Sequence, residues 1–190
     1  MIVQIVTWIL VLLVLATALS LSIAALRFHR PQFALLALIP VILGLAGIAF
    51  GVTIPAPTRS VAVIAAILVG LLGVVGGNPI TATVLAFAGR GNGASTVVGG
   101  KHGGIIVEDG DPGTPPAEVL RGGTIIGYLE RLGLIAAIVL GRLEIVAVLI
   151  AVKGLGRFSE LDSPQVRERF IIGTLISLVW AGACALLIVL

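Results

Sequence analysis

The chain has 190 residues, of which 58% are hydrophobic and 11% charged, against about 45–50% and about 25% in soluble domains. A mean hydropathy of +1.21 excludes a soluble globular class and points to an all-α integral membrane protein. The net charge of +3 is explained by basic residues collecting on cytoplasmic loops, so a nucleic-acid partner is not expected.

About 20 apolar residues cross the hydrocarbon core as a helix, and residues 2–26 supply the first such stretch. No basic n-region precedes it and its apolar run exceeds a signal-peptide h-region, so an uncleaved anchor is expected. Arg27, His29 and Arg30 follow it, which favours an N-terminus outside. The second span is expected over 32–54, with Pro40 kinking it and Pro55 and Pro57 closing it. The third covers 60–77. Asn78-Pro79 is expected to break it, leaving 80–88 as an apolar tail at the interface or re-entering the bilayer.

Residues 91–122 form the one long polar segment. Gly99-Gly100-Lys101-His102 has the look of a phosphate loop, but Ser95 and His102 stand where that motif needs Gly and Ser or Thr. Glu108, Asp109 and Asp111 lack the spacing and closing Glu of a calcium loop. His102 has no partner imidazole or thiol in the sequence pattern, and Cys184 is the only cysteine, so no metal or cofactor is expected. Residues 96–98 and 105–107 are expected to pair as a short hairpin, and Thr114-Pro115 to cap a short helix leading onward.

Spans four, five and six are expected over 123–140, 143–158 and 170–190, giving a bundle of about six transmembrane helices. Three regions follow: a three-span membrane region at 1–88, a Gly/Pro-rich cytoplasmic loop at 89–122, and a second three-span region at 123–190. With the N-terminus outside, the cytoplasmic side holds Arg27, Arg30, Arg90, Lys101, Arg121, Arg157, Arg167 and Arg169, and the outer loops hold Arg59 and Arg142. That asymmetry satisfies the positive-inside rule. A single helix over 132–152 would instead put Arg142 and Glu144 at mid-membrane, at about 2.5–3.5 kcal/mol each.

Spans four and five are short and form a hairpin closed at Gly141-Arg142. Along the first, Glu130 lies about 10 Å from the cytoplasmic end, and Lys153 about 7–8 Å from that end along the second, at about 1.5 Å per residue. Antiparallel neighbours bring the two to similar depth, which makes them a candidate intramembrane ion pair. Arg131 points about 100° away and is expected to snorkel to the headgroups. Small residues recur at packing spacing at Gly47 and Gly51, Gly73 and Gly77, Gly123 and Gly127, and Gly173, Ser177 and Ala181. After 158, Ser163 with Pro164 makes a helix start. Arg157, Glu160, Arg167, Glu168 and Arg169 form a candidate cytoplasmic charged cluster.

Residues 123–131 (GTIIGYLER), 151–161 (AVKGLGRFSEL) and 168–177 (ERFIIGTLIS) together resemble the membrane hairpin and following helix of a family of uncharacterised bacterial and prophage membrane proteins. The family pattern is an IG-x-LER opening, a K-x-x-x-RF-x-EL exit and an E-Y-x-x-IGTL-x-S helix. Glu130, Arg131, Lys153, Arg157, Phe158, Glu160, Glu168, Gly173, Thr174 and Ser177 carry the match. Gly154 stands where Ser is usual and Arg169 where an aromatic is usual, and the first half lacks the family's HLLAD-type start. The resemblance therefore covers about the last third and implies a bacterial plasma-membrane protein with this hairpin, but no activity.

No His-Glu-x-x-His motif, intramembrane aspartate pair or Ser-His pairing is present, so an enzyme is not expected. The expectation is a non-enzymatic structural or partner-binding component, whose partners are the lipid bilayer and a second copy or another membrane protein. The alternative is a small transporter or channel subunit using the Glu130/Lys153 region.

Overall fold

The computed structural model describes residues 2–28, 31–52, 54–88, 105–107, 117–119, 123–156 and 164–190. Six helices account for the apolar regions: α1 (Ile2–Phe28), α2 (Pro31–Ala49), α3 (Arg59–Ala88), α4 (Gly123–Val139), α5 (Leu143–Gly156) and α6 (Pro164–Val189). Between α3 and α4, strand β1 (Ile105–Val107) pairs antiparallel with β2 (Ala117–Val119), Ile105 opposite Val119. The expected partner at 96–98, the cap at Thr114-Pro115 and the charged residues Arg157 and Glu160 lie outside the described residues.

Among the described residues, three helices are long and apolar enough to cross a membrane: α1, α3 and the Val166–Val189 part of α6. The others have 19, 17 and 14 residues. At about 1.5 Å per residue they reach about 28, 26 and 21 Å, against a hydrocarbon core of about 30 Å. Large apolar side chains cover the outside of the bundle, among them Ile9, Leu13, Leu43, Ile67, Leu132 and Val179. In water such a surface would be an association site many times over; against lipid it is the ordinary exterior.

Backbone chemistry sets where the helices stop. Gly51 and Gly141 both have positive φ, 72° and 67°, which glycine adopts without a Cβ clash. At each, two amides fold back onto the last turn: Gly51 N to Ile48 O and Val52 N to Gly47 O, then Gly141 N to Ile138 O and Arg142 N to Ala137 O. These are Schellman caps. The first ends α2 at Ala49, short of the expected 54. The second reverses the chain between α4 and α5. At the start of α3, the Thr58 hydroxyl accepts the Val61 amide at 3.3 Å, an N-cap. The preceding connection is held by α1, whose Gln4 and Trp8 side chains both donate to the Pro55 carbonyl, at 2.8 and 3.0 Å.

The expected break at Asn78-Pro79 does not occur, because α3 runs unbroken to Ala88. Pro79 lacks an amide hydrogen and withdraws one bond, the one to the Val75 carbonyl. Burial outweighs that loss. α3 packs against α1, α2, α4 and α6, and Val69, Leu72, Gly73, Gly76, Gly77, Pro79, Ile80 and Thr83 along it are buried.

Two apolar clusters meet across α3 and α6. One joins Leu15, Ala18, Val41, Leu72, Trp180 and Cys184, the other Leu134, Ile135, Ala181 and Ala185. Close approach depends on glycines of α3. A Cβ on Gly73 would fall 2.7 Å from Ile135 Cδ1 and 3.0 Å from Cys184 Cβ, and one on Gly76 3.1 Å from the Trp180 ring. Gly47 and Gly51, by contrast, have nothing within 4 Å of that position. Gly73→Val is expected to destabilise by about 1–3 kcal/mol or more through overpacking, and Gly47→Val to stay within about 0.5 kcal/mol. Thermal unfolding of the purified protein in detergent checks both, and equal midpoints for the two variants would refute the α3 packing.

Candidate functional site

The charged residues of α4 and α5 separate into three environments. At the turn, Arg142 Nε donates to Glu144 Oε1, with both side chains more than half exposed. Near the other end of the hairpin, Lys153 Nζ donates to Glu130 Oε2, with side chains 18% and 14% exposed. The Lys153 ammonium also lies 5.6 Å from the centre of the Phe170 ring, so it touches α4 and the beginning of α6 together. Gly133 lets α5 approach α4, its Cβ position lying 3.1 Å from Leu149 Cδ1. No residue of α5 is buried.

The third environment belongs to Arg131, and it differs from the snorkelling expected. Arg131 is 3% exposed. Its guanidinium crosses into the contact between α3 and α6, where Nε donates to the Val74 carbonyl at 2.7 Å, Nη1 to Ser177 Oγ at 3.1 Å and Nη2 to Asn78 Oδ1 at 2.7 Å. The Tyr128 ring centre lies 5.3 Å from Cζ. The 100° step from Glu130 aims Arg131 inward because α4 lies against α3 and α6 on that side. Its path is open because Gly77 has no side chain: a Cβ there would sit 2.4 Å from Arg131 Cδ and 2.5 Å from Nε.

Val74 lies in the turn before Pro79, one residue from the Val75 carbonyl whose donor the ring removes, and its own carbonyl has a second lone pair for an outside donor. In a bilayer, one arginine at helix centre costs about 2.5–3.5 kcal/mol. Polar contacts between membrane helices contribute about 0.6–1.7 kcal/mol each, so three total about 2–5 kcal/mol. The fork therefore offsets the desolvation of its own charge, which is why Arg131 can remain inside.

Nothing in the charge pattern singled out Arg131 over Glu130 and Lys153. The signal was present in another place, the run Gly76-Gly77-Asn78, which offers a bare helix surface and an amide acceptor in one turn. Of the candidate cytoplasmic cluster, Arg167, Glu168 and Arg169 sit near the start of α6, the first two exposed and Arg169 half-buried. Among the described residues, no group of three or more His, Cys, Asp or Glu stands together as a metal site. Comparison with protein-family models, curated proteins and solved structures finds no match to the chain.

Glu130→Ala leaves the Lys153 ammonium without its carboxylate, and breaking a buried pair costs about 3–5 kcal/mol when fully desolvated. With both groups partly exposed, a smaller loss is expected, read as reduced folded protein in membranes. The exchange Glu130→Lys with Lys153→Glu should recover part of it. A double variant no better than the single would show that the two side chains act separately.

Proposed function

We propose that this protein is a non-enzymatic component of the bacterial plasma membrane that works by assembling with another membrane protein. The observation that carries the reading is the position of α5. It packs on the outer side of α4, buries none of its residues and presents Leu143, Val148, Val152 and Leu155 outward. Meanwhile the ionisable groups of the hairpin are spent on internal contacts, Glu130 with Lys153 and Arg131 with α3 and α6. Such an arrangement suits a rigid element that offers an apolar flank.

All six helices lie within the membrane in this reading, with the N-terminus outside and α4 and α5 as a short hairpin accommodated by local thinning. The resemblance of the last third to bacterial and prophage membrane proteins supports the hairpin and the location. In a background with Cys184 replaced, single cysteines at Arg59 and Arg142 should react with an impermeant maleimide added to whole cells. Cysteines at Arg27 and Arg167 should react only after lysis, and the reverse pattern would overturn the orientation.

A second reading, a small transporter or channel subunit, is favoured by one observation: Glu130 and Lys153 form an ion pair that keeps 14% and 18% side-chain exposure. Photocrosslinkers at Val148 and Val152 should trap one defined protein neighbour in native membranes. Lipid adducts alone, together with liposome ion flux that disappears in Glu130→Gln, would replace the assembly reading with the transport one.

A further inference from the structure

Arg131 carries five N–H groups, and three are engaged, each on a neutral acceptor: a carbonyl, a hydroxyl and an amide oxygen. The neighbouring carboxylate, Glu130, is taken by Lys153. Glu130, Arg131 and Lys153 together therefore hold one net positive charge, and it resides on the guanidinium that is 3% exposed. Hydrogen bonds to neutral groups stabilise a cation, but they leave its charge in place.

Three further polar atoms are buried without a protein partner: Asn78 Nδ2, Thr81 Oγ1 and Thr174 Oγ1. Because Asn78 turns its oxygen to Arg131, its amide N–H groups face elsewhere. The helix register brings these atoms together. α3 and α6 run antiparallel, with Gly73 beside Cys184, Gly76 beside Trp180 and Gly173 beside Thr81. Thr81 lies one turn beyond Asn78 and Thr174 one turn before Ser177, so the two residues fall at one level, about 5 Å along the helix axes from Asn78 and Ser177. α4 meets the fork itself at Gly127, whose Cβ position is 3.2 Å from Arg131 Nη1 and 3.4 Å from Asn78 Oδ1. The hydroxyls of Thr17, Ser20, Ser22 and Thr83 fold back onto carbonyls of their own helices, whereas those of Thr81 and Thr174 do not.

We propose that Arg131, Asn78, Thr81 and Thr174 form a binding site for a small monovalent inorganic anion of the halide class, held between α3, α4 and α6. The donor set is guanidinium N–H, amide N–H and two hydroxyls, with no carboxylate among them. A water molecule would satisfy the hydrogen bonds but not the charge, and a halide satisfies both. Sulfate and phosphate are larger and carry more than the single charge that the guanidinium calls for. The site lies inside the bundle and does not depend on what α5 contacts.

The test is thermal unfolding of the full-length protein in detergent, titrating sodium chloride against sodium gluconate at constant ionic strength. The midpoint should rise saturably with chloride and with bromide, and not with sulfate. Thr81→Val and Thr174→Val should each weaken the apparent affinity about tenfold, the equivalent of one good hydrogen bond. Gly47→Ala should respond as the native protein does. Should a valine variant fail to fold, chloride NMR linewidths on the native protein decide: broadening reversed by bromide is expected. Equal midpoints in chloride and gluconate, equal responses in native and valine variants, or unbroadened chloride would overturn the site.

Discussion

A guanidinium buried between three helices is the constraint around which this bundle is arranged. Arg131 begins on α4 but finds its acceptors on α3 and α6, so those helices are fixed in rotation and in depth by one side chain. The planar fork gives direction as well as attraction, since its donors point where the acceptors must be. A lysine in that place would offer a point charge on a flexible stem and would leave the relative rotation of α3 and α6 loosely set.

The remainder of α3 is shaped to admit that side chain. Gly77 leaves it a channel, Gly76 and Gly73 bring α6 near enough for Trp180 and Cys184 to meet α3, and Trp180 reaches the Leu72 carbonyl at 3.4 Å. Small residues in membrane helices usually stand for close packing of backbones. Here they serve two ends in one helix, close packing at Gly73 and Gly76 and the passage of a charged side chain at Gly77. The stripe is confined to where it is used, because Gly47 of α2 and Gly51 just beyond its end face open space.

How much of this could be read from the residues varies with what each feature depends on. The helices follow from apolar length, and the reversal at Gly141 from a glycine between two apolar runs. Glu130 and Lys153 follow from helical rise, a local quantity that gives their depths on two adjacent helices without knowing the rest of the bundle. Arg131 needed what no local pattern supplies, namely which neighbours lie on the inward side of α4. The continuity of α3 through Pro79 was hidden for the same reason: the proline penalty is local and visible, while the burial on four helices that overrides it is not. The end of α2 at Gly51 was masked by the apolar residues that follow it, since hydropathy is blind to a positive φ.

The three acceptors of Arg131 also differ in when they exist. Val74 and Asn78 precede it in the chain by 57 and 53 residues, while Ser177 follows by 46. As the chain is made from its N-terminus at about 5–20 residues per second, α3 is complete before α4 emerges with its charge. Two of the three bonds can form at once, and α6 completes the fork several seconds later. Asn78 and the Val74 carbonyl are thus made before the helix whose charge they accept, and Ser177 after it.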